Sequence, residues 1–288
     1  MNNFEPQEPT LQPHEGWHCS HLYYRFNRAA LAALSPTQLA TGRKHFANVV
    51  NPQGEQAPKQ IQLFIVSGHK ADFGLMILDP DPLAIDRVHQ RIMSGPLGTA
   101  IEPTYSFVSI TEVSEYVPTV EQFGARLQAE GESPDSPAYQ ARVRAYASRE
   151  EKMRVQRLTP ELPTWPNMCF YPMNKIRHPH ANWFTLDSET RHKLMTEHGR
   201  TGMTFAGKVT QLITVSFGFD DWEWGVTLWA TNPDYLKDIV YRMRYDEASA
   251  KYAEFGPFYV GYLSTAEAML DHCRVGADSM VVDGAVAY

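Results

Sequence analysis

Residues 208–230 read KVTQLITVSFGFDDWEWGVTLWA. Two apolar runs rich in β-branched and aromatic residues flank Gly218, Phe219, Asp220, Asp221 and Trp222, a turn-forming interruption. The pattern predicts strands over 208–217 and 223–230. Working outward, Asn167–Met173 is a strand, and Asp187-Ser188-Glu189 caps a helix that stops at Gly199. Pro172 is expected to end that strand, leaving Lys175 in the loop beyond. Downstream, Asn232-Pro233 opens a helix to about Glu254, and Phe258–Leu263 is a last strand. The order is β-α-β-β-α-β, a ferredoxin-like unit.

The first part of the chain repeats that order. Trp17–Phe26 is a strand, and Ser35-Pro36 starts a helix to about Val50. Gln60–Ser67 and Phe73–Leu78 are strands separated by a turn over 68–72. Asp81-Pro82 starts a helix ending near Met93, and Thr104–Tyr116 is the closing strand. The two units share no residue-by-residue repeat, so the duplication rests on element order. The expected fold is α+β: two ferredoxin-like halves, 16–116 and 167–263, in a subunit of the dimeric α/β-barrel type. Each sheet has one face for its helices, and packing sheet on sheet covers the other. Residues 1–15 are read as a disordered leader and 264–288 as a tail of no assigned role. The intervening 117–166 is a charged linker with helices near Val120–Ala129 and Ala138–Arg157.

Composition narrows the partners. The 288 residues carry a formal charge of -7 and are 43% hydrophobic, which suits a globular chain with two modest cores. The acidic balance gives no broad attraction to nucleic acid or anionic membrane. The longest apolar runs, near 61–67 and 74–78, are too short to span a bilayer. The N-terminal stretch is polar and proline-rich, unlike a signal peptide, and the expected location is cytoplasmic. Cys19, Cys169 and Cys273 are widely spaced without a CxxC, as free thiols in a reducing compartment would be.

A small set of residues carries chemistry. His198 lies four residues after Leu194, on the same helix face. At a helix C-terminus a histidine is explained simply by the helix dipole. With Gly199 and Gly202 beside it, a neutral imidazole can instead serve as an axial iron ligand against a flat, bulky group. Gln211 shares a strand face with Val209, Ile213 and Val215, either reaching solvent or standing as a neutral hydrogen-bonding group over a cofactor. Tyr171 and Lys175 add a phenol and an ammonium nearby. Arg157, Arg244 and Ser249 can hold carboxylates, although spacing alone is equally met by solvated helix faces. His18 with His21, and His178 with His180, lack a second cluster at zinc spacing. No P-loop, GxGxxG or nucleophile elbow is present.

At these residues the chain resembles the chlorite dismutase superfamily, in its coproheme decarboxylase branch. The resemblance rests on YPMNK (171–175), NWF (182–184), LMTEHG (194–199), GKVTQ (207–211), GFDDWEWGVTL (218–228) and YRMRYDEASA (241–250), with TYSFVSITEVSEY (104–116) in the first half. The segment 202–206 is less basic than in that family, and the leader and tail lie outside the resemblance. The resemblance implies a homopentamer with one porphyrin site in each C-terminal half. The implied reaction is hydrogen peroxide-dependent decarboxylation of two propionates of iron-coproporphyrin III (coproheme), giving haem b. In it His198 is the axial ligand, Tyr171 the tyrosine that becomes a radical, and Lys175 sits near the reacting propionate. Arg157, Arg244 and Ser249 hold propionates, and Gln211 is the distal residue. Chlorite dismutase itself has an arginine in place of Gln211, a cation suited to chlorine oxyanions. A peroxidase-like haem enzyme and a haem carrier without turnover compete with the decarboxylase reading.

Overall fold

Both ferredoxin-like units are present, and their sheets join at both edges. The computed structural model describes residues 8–276. In the first half the strands are β1 (His18–Phe26), β2 (Gln60–Val66), β3 (Phe73–Asp79) and β4 (Ile101–Thr111). Its helices are α1 (Arg28–Ala33), α2 (Pro36–Val49) and α3 (Pro82–Ser94). The linker supplies α4 (Val120–Ala129) and α5 (Pro137–Leu158). The second half has β5 (Asn167–Lys175), a two-stranded hairpin of β6 (Arg177–His178) and β7 (Ala181–Asn182), α6 (Ser188–Met203), β8 (Val209–Val215) and β9 (Trp224–Ala230). It ends with α7 (Pro233–Met243), α8 (Glu247–Ala250), β10 (Ala253–Phe255) and β11 (Tyr259–Leu263), and α9 (Ala266–His272) follows.

Strand order is β2-β3-β1-β4 in one half and β8-β9-β5-β11 in the other. These are the same order when β5, β8, β9 and β11 replace β1, β2, β3 and β4. The fourth strand of each half pairs with the second of the other, through Ile110↔Val215 and Thr111↔Thr214 on one side and Gly261↔Val66 to Leu263↔Phe64 on the other. The two sheets therefore close into one antiparallel barrel, the subunit type expected from the sequence, in which these strands have no free edge. Its interior is filled by Tyr23, Phe64, Met76, Phe107, Phe170, Leu212 and Trp229. His21 is buried there too, bonded to Thr227 Oγ1 at 2.8 Å and stacked on Phe170. Burial lowers its pKa to about 3, so it is a neutral core histidine.

Four elements differ in their boundaries from the sequence reading. β5 continues through Pro172 to Lys175. The Pro172 carbonyl accepts from Gly256 N at 2.8 Å. In a strand a residue's N–H and C=O face the same side. The missing N–H thus falls where β10 gives way to β11, and the ladder to β9 is kept. α6 runs past Gly199 to Met203; an interior glycine costs only about 1 kcal/mol against alanine, and the chain turns at Gly207, whose φ is +77°. The helix read as 233–254 breaks after Met243 because Asp246 caps a new helix, accepting from Ser249 N at 3.0 Å. The last strand of the first half also ends early, at Thr111.

Part of the tail has a place. α9 lays Met269 and Leu270 into the core of the first half, and Arg43 bonds the Val275 carbonyl and Asp271. Residues 8–15 form no helix or strand, while 1–7 of the predicted leader and 277–288 of the tail lie outside the described residues. Cys19, Cys169 and Cys273 are buried and free. Among the described residues no helix is long and apolar enough to cross a membrane.

Candidate functional site

The outer face of the second-half sheet is where the chemistry gathers. Strand alternation puts Cys169, Tyr171, Met173 and Lys175 of β5 on it, while Met168 and Phe170 point into the barrel. β9 adds Val226 and Leu228, and β8 adds Val209, Gln211 and Ile213; α7 lies over this face, and α6 packs beside α7. Tyr171 is buried, with its ring 4.5 Å from that of Phe258 and 5.6 Å from that of Phe255. Burial pushes its phenol above the ordinary range; Cys169 adds to this and the nearby Arg244 opposes it. Arg244 itself is exposed and lies 4.7 Å over the Phe255 ring.

His198 lies five residues before the end of α6, more than a turn inside it, so the helix-end explanation falls. Leu194 and His198 do share a face: Leu194 packs in a cluster with Ala248, and His198 meets the cap of α8. Its Nδ1 lies 3.1 Å from Asp246 Oδ2 and 3.3 Å from Ser249 Oγ. A carboxylate on Nδ1 favours that nitrogen as the N–H donor and leaves the Nε2 lone pair as a potential metal donor. Burial raises the Asp246 pKa, but the His198 hydrogen bond and charge, with the Ser249 N–H and Oγ, leave it below its usual value. A cleft of about 500 Å3 lined by Glu197, Thr201, Tyr241, Arg242 and Tyr245 also reaches Asp246.

Lys175 is buried against α8. Its Nζ donates to the Ala248 carbonyl at 3.1 Å and sits 3.9 Å over the Trp183 ring. Burial lowers its pKa to about 8, against the pull of Asp246 and Glu223. The four residues of α8 and its cap therefore bracket the imidazole and the ammonium: Asp246 and Ser249 hold one, Ala248 the other.

Of the residues singled out by sequence, the structure joins His198, Ser249 and Lys175 through α8, and Tyr171 to Arg244 through Phe255. Gln211 is not in contact with them. It is exposed, and it lies across β9 and two residues along from Tyr171, through Gln211↔Leu228 and Tyr171↔Val226. Strand spacing makes that separation about 12 Å on the same face. Arg157 ends α5, half-buried, with no carboxylate against its guanidinium among the described residues. Burial without a counter-charge lowers its pKa. An unpaired, partly desolvated cation is suited to an anionic ligand. Sequence reasoning missed Asp246 and Glu223, although Asp246-x-x-Ser249 is a helix-cap spacing and Glu223 lies inside the 218–228 stretch.

A closed barrel of two ferredoxin-like halves, with a histidine–aspartate pair and a buried lysine on one outer face, defines a dimeric α/β-barrel protein with a one-histidine site. Residues 40–264 match the chlorite dismutase family, and the chain belongs to that family. It is 35% identical over 264 residues to a coproheme decarboxylase of Staphylococcus carnosus (strain TM300), covering 91% of this chain and 97% of that one. A heme-binding protein from Thermus thermophilus is similar in structure with a TM-score of 0.72 and 30% identity, over 93% of this chain and 100% of that one. A chlorite dismutase variant from Candidatus Nitrospira defluvii shares the fold at a TM-score of 0.67 and 15% identity, over 91% and 96% of the two chains.

Proposed function

We propose that this protein is a coproheme decarboxylase, converting two propionates of coproheme to vinyl groups with hydrogen peroxide and yielding haem b. The observation that carries the reading is the bracket on α8, which sets a metal-ready imidazole and a buried ammonium on the same side of the sheet as an oxidisable tyrosine. His198 holds the iron through Nε2. Arg157 and Arg244 face carboxylates, and Ser249 acts through His198 and Asp246 or turns its hydroxyl to a propionate.

Bound coproheme and peroxide supply the oxidising power. Each vinyl formed releases one carbon dioxide, one proton and two electrons; one peroxide takes up those electrons with two protons, giving two waters. Tyr171 gives up its phenolic hydrogen and takes one from the propionate carbon next to the ring. Its buried phenol is protonated at neutral pH, as a hydrogen-atom relay requires. Lys175, with a pKa of about 8, can steady the departing carboxylate and supply the net proton consumed. The protein contributes position and electrostatics.

The five-fold assembly implied by the resemblance belongs to the same reading, and exposed Met203, Tyr241 and Tyr245 offer apolar contact area for neighbouring subunits. Light scattering of the purified protein tests it. For the reaction, coproheme and peroxide are added to the apo-protein and the porphyrin is weighed by mass spectrometry. Stepwise loss of carbon dioxide and two hydrogens per propionate is expected. Porphyrin bound but unchanged favours a carrier; oxygen release from chlorite favours a chlorite dismutase, against which the uncharged Gln211 argues.

A further inference from the structure

The end of β5 is held by a side chain that the proposed reaction does not use. Glu223, the residue before β9, is buried. Its Oε2 accepts the backbone N–H of Lys175 at 2.8 Å. Its own N–H donates to Asn174 Oδ1 at 2.8 Å, and its carbonyl accepts from Ser216 N at 2.8 Å. The β5–β9 ladder ends at Met173↔Trp224, so Asn174 and Glu223 continue it with side chains in place of backbone. The second carboxylate oxygen lies 3.5 Å from Arg177 Nη1, a guanidinium that is largely exposed.

A buried carboxylate bonded to a lysine's own backbone does two things. It fixes the Cα from which the ammonium is projected, and it sets a negative charge close to that ammonium. We propose that Glu223 is a positioning residue for the reaction, holding the Lys175 ammonium over Trp183 and against the Ala248 carbonyl and keeping it charged in a buried place. The geometry stands by itself; the consequence for turnover rests on the decarboxylase reading. The charged and titratable groups facing this lysine are Glu223 at the start of β9, with Arg177 of β6 behind it, and Asp246 at the cap of α8, with His198 of α6 behind it. Of the two acids, only Glu223 also bonds the lysine's backbone.

Two substitutions of opposite sign test the proposal. Glu223→Gln keeps an oxygen for the Lys175 N–H and removes the charge, so the lysine's titration midpoint should fall by about one pH unit, tenfold in proton affinity. Arg177→Gln leaves Glu223 uncompensated, so the midpoint should rise; its exposed side chain makes loss of folding no concern, and it decides the matter if Glu223→Gln does not fold. The midpoint is read in the ligand-free protein by NMR of isotope-labelled methyl-lysine, with Lys175→Met for assignment. In the coproheme-loaded enzyme the alkaline limb of the rate profile should move in the same two directions. Midpoints unchanged in both variants overturn the proposal, whatever happens to the rate. If wild-type protein binds coproheme without converting it, the decarboxylase reading fails, and the ligand-free titrations alone decide the role of Glu223.

Discussion

In the first half, α2 and α3 press Phe46, Val49, Ile85, Val88 and Ile92 onto the outer face of the sheet, and α9 returns from beyond β11 to add Met269 and Leu270. In the second half, α6 buries Leu194 alone and α7 buries Leu236 and Ile239. One strand order thus carries a face closed with hydrocarbon and a face left loosely covered, on which His198, Lys175 and Tyr171 stand. Duplication of a unit lets one copy supply stability while the other gives up packing for a site. Even the tyrosines divide this way. Tyr24 of β1 is fully buried with its hydroxyl on His89 Nδ1 at 2.8 Å; Tyr171 of β5 lies beside a cation among phenylalanines.

The largest expected effect separates those two tyrosines. Tyr171→Phe should retain coproheme, judged by titration of the absorption spectrum, and lower vinyl formation by about 100-fold or more, since a proton-coupled step is lost. Tyr24→Phe should leave the rate alone and destabilise the fold by about 0.5–1.5 kcal/mol, the worth of one buried hydrogen bond. Vinyl product at the normal rate from Tyr171→Phe would break the division. Next in size is the hydrocarbon face. Phe46→Ala should cost about 3–5 kcal/mol in denaturant unfolding, with coproheme affinity unchanged under native conditions.

Lys175 sharpens the comparison through pH. Its pKa is lowered from 10.5 to about 8 on folding, so between those values the unfolded chain binds more protons than the folded one. Stability then rises with pH across this window, and the gain is lost again as pH falls through 8. The full difference is about 3 kcal/mol relative to Lys175→Met. Parallel unfolding curves for the two proteins from pH 7.5 to 10.5 would refute the assignment of that shift to this lysine.

Most of the architecture was legible because periodicity and caps are local. Ser35-Pro36, Asp81-Pro82 and Asn232-Pro233 all mark true helix starts. The barrel type of the subunit was named from the sequence, but the pairings that close it were not legible, since those joining β4 to β8 and β11 to β2 carry no local signal. The break at Asp246 was missed because no glycine or proline lies between Pro233 and Phe255; the cap was there, hidden in a run of good helix formers. The side chains proposed for the site were named through the resemblance. What holds them, Asp246 on His198 and Glu223 on Lys175, depends on contacts 48 residues apart in sequence, which spacing rules do not reach.

The smallest effect compares two helix glycines. A Cβ at Gly42 of α2 would lie 2.6 Å from Leu97 Cγ, whereas one at Gly199 of α6 would meet nothing within 4 Å. Gly42→Ala must displace a buried leucine and should cost about 1–3 kcal/mol by overpacking. Gly199→Ala removes a flexible residue from a helix interior at no steric cost, and should stabilise the ligand-free protein by up to about 1 kcal/mol, raising Tm by roughly 2–4 °C. Gly199 follows His198 directly, so the open space beside it is where a porphyrin held by that histidine would approach the helix. The same methyl group that helps the empty protein should therefore weaken coproheme binding. Calorimetry of the ligand-free variant and a coproheme titration of the same sample read both signs; a stabilised variant with wild-type affinity would place the porphyrin away from this turn of α6.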